Sequence, residues 1–208
     1  MLVTTLLVMA KAPVAGLVKT RLCPPLTFQQ AADVAAAALS DTLGAALGCG
    51  ADRVLVALDG APGGWLPAGV EVVPQVGAGF AARLDRAWAD AGGPTLQIGM
   101  DTPQVTSSLL DAGLAALDRH AGALGMALDG GWWGLALRRP LKGAFAGIEM
   151  STARTGAQQL ARLIELGVDP ILLPPMTDID AIADLDAVVA LMGSGSRTAS
   201  VHAGLVVA

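Results

Sequence analysis

The run Leu2-Val3-Thr4-Thr5-Leu6-Leu7-Val8-Met9 passes directly into Ala10-Lys11-Ala12-Pro13-Val14-Ala15-Gly16-Leu17-Val18-Lys19-Thr20-Arg21-Leu22, and this junction decides how the rest of the chain is read. The first part is an aliphatic run of strand length, as expected of a strand covered on both faces of a sheet. The second carries three cations around a proline and a glycine, a turn composition. In an open parallel sheet the loops at the carboxyl ends of the strands form the ligand crevice, so this loop is where an anion should sit. Lys11, Lys19 and Arg21 supply the charge, Arg21 as a forked donor suited to phosphate, and Gly16 lets a ligand approach the backbone. The pattern G-x-x-x-x-G-K-[ST] is absent, so this is not a Walker loop.

Working outward, short aliphatic runs recur at Val54 to Leu58, Val70 to Val73, Thr95 to Gly99, Ala123 to Leu128, Trp132 to Leu137 and Ile171 to Leu173. Helical patterns separate most of them. Thr27 with Gln30 forms a capping box ahead of a segment whose Ala35, Leu39, Leu43 and Leu47 share one face, ending at Gly48. Further helices are expected at about Gly79 to Ala91, Ser107 to Arg119, Gly156 to Leu166 and Ile182 to Met192, with Thr106, Thr155 and Asp180 as caps. Alternating strands and helices predict an α/β fold: a mostly parallel sheet with right-handed crossovers and helices on both faces. Asp129-Gly130-Gly131 is too short for a parallel crossover and predicts an antiparallel hairpin, hence a mixed sheet. Residues 1–192 then form one domain, and 193–208, opening Gly-Ser-Gly-Ser, a linker with a tail or edge strand.

Composition narrows the function classes. The 208 residues suit a single core, and 53% hydrophobic against 15% charged residues fits a sheet covered on both faces. No apolar run reaches the about 18 residues a membrane span requires. A net charge of -5 argues against a nucleic-acid surface, so the relevant positive charge is local. The run Leu2 to Ala10 lacks a basic segment before it and reads as a strand rather than a signal peptide, which points to the cytoplasm. Cys23 and Cys49 have no metal spacing and read as reduced structural thiols.

Gly99-Met100-Asp101-Thr102-Pro103 follows a strand and precedes a helix, which puts Asp101 at the same sheet edge as the cationic loop. A carboxylate there suits Mg²⁺ or Mn²⁺ held against a diphosphate, since hard cations share carboxylates with substrate phosphates. Asp129 is the next acid, a candidate general base or metal-positioning group, with Gly130 and Gly131 allowing close approach of a sugar or acceptor. Trp132 and Trp133 must point to opposite faces of their strand, so only one can offer a platform to the crevice. Arg83 reads as a surface ion pair, and Asp178-Ile179-Asp180, placed just before a helix, as a cap rather than a metal site. His120 and His202 stand without partners for a triad or metal cluster.

The segments A-K-A-P-V-A-G-L-V-K-T-R-L (Ala10 to Leu22), G-A-G-F-A-A-R-L (Gly77 to Leu84), G-M-D-T-P (Gly99 to Pro103), A-L-D-G-G-W-W (Ala127 to Trp133) and T-D-I-D (Thr177 to Asp180), in this order, resemble the DUF2064 family. These are small glycosyltransferase-A-like proteins of the nucleotide-diphospho-sugar transferase superfamily, among them arsenosugar-biosynthesis-type glycosyltransferases. The resemblance implies a Rossmann-like sheet and a nucleotide-diphosphate sugar or nucleotide bound at the end of the first strand, along Ala10, Lys11, Gly16, Lys19 and Arg21. It also implies a divalent metal at Asp101 and a small-molecule acceptor near Gly130, Gly131 and Trp132. Trp132 stands where the family has the aromatic after two glycines, and Glu149-Met150-Ser151-Thr152 where it often reads W-S-T.

Metal-dependent glycosyl transfer is the leading expectation, with Asp101 and Asp129 catalytic. The alternative is nucleotidyl transfer with release of pyrophosphate, because K-T-R-L also resembles the phosphate loop of phospholactate guanylyltransferase-type enzymes. A second alternative is a nucleotide-binding domain without turnover.

Overall fold

The structure, a computed structural model, describes residues 2–205. Seven strands form one sheet: β1 (Thr5–Lys11), β2 (Arg53–Asp59), β3 (Glu71–Pro74), β4 (Thr95–Gly99), β5 (Gly122–Ala127), β6 (Trp132–Leu137) and β7 (Ile171–Met176), in the order β3-β2-β1-β4-β6-β5-β7. Strand β6 runs antiparallel to both its neighbours, and the other pairings are parallel. The α/β alternation and the mixed sheet are as the sequence predicts. β1 extends two residues beyond its expected end, so Ala10 and Lys11 belong to the strand, and Lys11 lies in register with Asp59.

Helices cover both faces. Leu6, Val8 and Ala10 pack with Leu39 and Leu43 of α1 (Phe28–Leu47) and Leu110 of α3 (Ser107–Ala115). Leu7 and Met9 point the other way, to Leu84 and Trp88 of α2 (Phe80–Ala91) and Leu163 of α4 (Thr155–Glu165). This two-sided burial explains why β1 lacks a polar face. The Thr27 and Gln30 capping box starts α1, and Thr106 accepts from the Leu109 N–H to start α3. Among the described residues no helix is long and apolar enough to cross a membrane.

A third cluster sets up the site. Leu22, Leu26, Val34 and Ala38 pack with Ile179 and with Leu185 and Val188 of α5 (Ile182–Ala190). Ile179 is fully buried and its N–H donates to the Asp101 carbonyl at 2.9 Å. The cationic loop is thereby joined at its far end to the segment that follows β7.

Three expectations are corrected. A helix, α6 (Arg197–Ala203), stands where a linker and a tail or edge strand are predicted. Ser196 caps it, the Asp41 carboxylate of α1 accepts from the Arg197 and Thr198 N–H groups, and Val201 and Leu205 pack on the third cluster. Ser196 of the Gly-Ser run thus starts a helix rather than serving as spacer; residues 206–208 of the expected tail lie outside the described residues. Thr155 is not a cap: Arg154 holds that position, and the Thr155 hydroxyl donates to the Glu149 carbonyl at 2.7 Å. Asp180 is not a cap either, because Asp184 reaches back to accept from the Asp180 and Ala181 N–H groups at 3.2 and 2.7 Å.

Candidate active site

A cavity of about 510 Å³ opens at the carboxyl edge of the parallel strands. β1 contributes Ala10 and Lys11, β2 ends at Asp59, and the turn after β4 brings Asp101. The hairpin brings Asp129, Gly131 and Trp132, and the segment after β7 brings Asp178 and Asp180. Arg21 reaches it from the cationic loop. Ala10, Lys11, Arg21, Asp101, Asp129, Gly131 and Trp132, all candidates from the sequence, therefore share one cavity.

Three candidates lie elsewhere. Gly16 (φ 77°) shapes the loop beside Phe28 and does not line the cavity. Gly130 (φ 92°) faces the chain itself: a Cβ there would lie 2.1 Å from the Ala153 carbonyl oxygen, and its own carbonyl accepts from the Gly156 N–H at 2.8 Å. The close approach that this glycine allows is made by residues 153–156, not by a ligand. Lys19 turns away from solvent, with its side chain 8% exposed, and its ammonium lies 2.9 Å from Asp101 Oδ1 and 3.6 Å from Asp180 Oδ1. It also donates to the Ile179 carbonyl.

The sequence reading set Asp178 and Asp180 aside as a helix start, and both line the cavity. Oxygens of Asp129, Asp178 and Asp180 lie within 4.8 Å of one another, a separation a single cation can bridge. The physical cause is the buried Ile179: fixing it in the third cluster turns the aspartates on either side toward the cavity. With α5 capped by Asp184, the Asp180 carboxylate is left for Arg21, whose Nη1 is 2.6 Å from Oδ2. Asp178 has no side-chain partner among the described residues, and burial, with repulsion from Asp129, Asp180 and Asp101, pushes its carboxyl up to about 6. Asp129 holds the hairpin, accepting from the Gly131 N–H at 2.7 Å. The donor set is all carboxylate oxygen, which suits Mg²⁺ or Mn²⁺ and not a softer metal.

The remaining walls were partly legible. Arg83 pairs with Asp59 at 3.1 Å, as a surface ion pair does, but the pair stands on the cavity rim. Asp59 ends the strand next to β1, and that position was its only signal. Gln75 crosslinks the strand ends, donating to the Ala10 and Ala57 carbonyls at 2.9 Å each. Met150, Ser151, Thr152 and Thr155 also line the cavity; Ser151 holds a left-handed backbone (φ 60°). Trp132 is part-exposed and stacks on Phe145 (ring centroids 6.4 Å, planes 20° apart). Trp133 is buried and donates to the Pro174 carbonyl at 3.0 Å. The two tryptophans divide between crevice and core as strand alternation requires.

The fold has close likenesses among solved structures. A Desulfovibrio desulfuricans G20 protein assigned as a nucleotide-diphospho-sugar transferase superposes with a TM-score of 0.86 at 22% identity, covering 98% of this chain and 95% of that one. Rv0371c of Mycobacterium tuberculosis H37Rv, in complex with manganese, gives 0.55 at 20% identity over 89% and 97% of the two chains. The 2-C-methyl-D-erythritol 4-phosphate cytidylyltransferase of Thermus thermophilus gives 0.53 at 24% identity over 92% and 98%. At these identities the likeness is one of fold. No curated protein matches the sequence. The family described as "Uncharacterized protein conserved in bacteria (DUF2064)" matches residues 30–152, more than half of the chain, and the chain belongs to it.

Proposed function

We propose that this protein is a metal-dependent glycosyltransferase that uses a nucleotide-diphosphate sugar. The observation that carries the proposal is the meeting, in one cavity, of Lys11 and Arg21 with the carboxylates Asp101, Asp129, Asp178 and Asp180. Cations alone would suit any anion, and carboxylates alone any cation. Both together suit a diphosphate that arrives with a divalent metal. The cavity volume of about 510 Å³ is in the usual range for small-molecule sites.

Asp178 and Asp180 would hold the cation, with Asp129 as third ligand or as base, and Asp101 beside them. When bound, a divalent ion there would neutralise charge on the departing diphosphate. Lys11 and Arg21 would stabilise the same charge from the β1 side. In an inverting reaction Asp129 takes the proton of the acceptor hydroxyl as its oxygen bonds to the anomeric carbon. The bond from that carbon to the diphosphate oxygen breaks, and the nucleoside diphosphate leaves. Trp132 offers a ring face to the sugar or acceptor. The free thiols of Cys23 and Cys49 agree with a cytoplasmic protein.

Nucleotidyl transfer is the second reading, favoured by the likeness of fold to a cytidylyltransferase. In that case Lys11, Lys19 and Arg21 would grip a triphosphate and pyrophosphate would leave. Thermal unfolding with Mn²⁺ against nucleotide-diphosphate sugars and nucleoside triphosphates separates the two. A ligand at about 100 times its dissociation constant adds roughly 2.7 kcal/mol. Stabilisation by one sugar nucleotide, with release of its nucleoside diphosphate on adding acceptor, supports glycosyl transfer. Stabilisation by triphosphates alone, with pyrophosphate release, replaces it with nucleotidyl transfer, and binding without any product leaves a non-catalytic domain.

A further inference from the structure

Lys19 is in an unusual place for a lysine. Its side chain is 8% exposed, whereas lysines are almost never buried unless paired. Its backbone is left-handed (φ 50°, ψ 33°), a region that costs a residue with a Cβ and persists only where its surroundings enforce it. The result of that conformation is an ammonium fitted among carboxylates. It donates to the Ile179 carbonyl and forms ion pairs with Asp101 Oδ1 at 2.9 Å and Asp180 Oδ1 at 3.6 Å. Arg21 takes the other oxygen of Asp180 at 2.6 Å. Both oxygens of Asp180 therefore face a cation already, and Asp101 shares Lys19 with it.

We propose that Lys19 is a resident counter-cation that closes Asp101 and Asp180 to divalent metal until an anionic phosphate ligand draws it away. This rests on the metal-dependent reading above and adds its regulation. An ammonium and a divalent cation cannot both lie against Asp180 without strong repulsion. The ammonium must leave for the metal to take full hold. A hollow of about 240 Å³, its lining including Lys11, Lys19, Arg21, Asp101 and Asp180, has room for a phosphate within reach of Lys19 and Arg21. A phosphate brings more negative charge and more acceptor oxygens than one carboxylate, so it competes for these cations, and once they engage it the carboxylates are released. Metal and phosphate then bind with positive coupling, which by linkage acts equally in both directions. A free metal ion is held weakly, and a phosphate ligand without metal leaves the carboxylates uncompensated.

The test is titration with Mn²⁺ alone, followed by the electron paramagnetic resonance signal of the free ion, on the wild type, Lys19→Met and Lys19→Arg. Removing one positive charge next to the ion should tighten Mn²⁺ binding by about tenfold in Lys19→Met. Lys19→Arg keeps the charge and should stay within about twofold of the wild type on the same Coulombic argument. Equal or weaker binding by Lys19→Met, with the wild type still binding, overturns the inference and leaves the metal-dependent reading standing. Absence of Mn²⁺ binding in both overturns the two together. Should Lys19→Met not fold, amide hydrogen exchange of residues 12–22 in the wild type decides. Saturating Mn²⁺ should speed exchange around Lys19, and unchanged exchange overturns the inference.

Discussion

Two segments at the rim of the sheet face each other across the cavity, and they differ in how openly they carry their chemistry. The loop after β1 holds Lys11, Lys19 and Arg21 at an obvious strand end. The segment after β7 holds Asp178 and Asp180 around an isoleucine, in a pattern that also describes an ordinary helix start. The first is cationic and the second anionic, and each is held in place by the other. Lys19 and Arg21 reach across to Asp180, and Leu22 packs with Ile179. A site made this way depends on a hydrophobic contact between two loops as much as on the charges it displays.

That dependence is greatest at Ile179. Replacing this fully buried side chain by alanine should cost about 2–5 kcal/mol of stability, read by denaturant unfolding, and should abolish Mn²⁺ binding as both aspartates lose their direction. If the variant is destabilised but binds Mn²⁺ normally, the isoleucine does not aim the carboxylates. Asp180→Asn is expected to lower turnover by about a hundredfold or more, as removal of one electrostatic group at a reacting centre does. Steady-state kinetics with the donor found by thermal unfolding measures it, and Asp129→Asn refines the assignment. Lost turnover with retained Mn²⁺ binding marks Asp129 as base, and loss of both marks it as ligand.

Gly130→Ala tests the hairpin side. A Cβ 2.1 Å from the Ala153 oxygen on a left-handed backbone must push residues 153–156 away, at about 1–3 kcal/mol by thermal unfolding. The smallest effect concerns pH. The Asp178 carboxyl has an ordinary value of 3.8 and stands at about 6 in the folded protein, so between these values the folded state keeps a proton that the unfolded chain has lost. Its contribution therefore falls as pH rises from about 4 through about 6 and then levels off. Melting temperatures without metal should show Asp178→Asn matching the wild type near pH 4 and exceeding it near pH 7; parallel curves would contradict this.

The same contrast explains what the sequence revealed. Alternation of aliphatic runs and capped helices follows local rules, so β1, the hairpin and the Thr27 start of α1 could be read directly. So could the strand ends, which is why Lys11, Arg21, Asp101, Asp129 and Trp132 reach one cavity. The placement of Asp178 and Asp180 at the cavity depends on Ile179 packing in one cluster with Leu22, more than 150 residues away, and on Asp184 taking over the cap. No local pattern records either fact. Gly130 was misread for a related reason: its need for space was correct, but the neighbour filling that space, Ala153, comes from a distant loop. α6 was missed because a Gly-Ser run reads as spacer until Asp41 on α1 is known to accept its first N–H groups.

If the loops after β1 and β7 meet to hold a divalent metal against a diphosphate, crystals grown with Mn²⁺ and a nucleoside diphosphate will show it in the manganese anomalous scattering. One anomalous peak should lie against Asp178 and Asp180, with diphosphate density reaching Lys11 and Arg21. A peak remote from these aspartates, or diphosphate bound in the cavity with no manganese beside it, would contradict that arrangement.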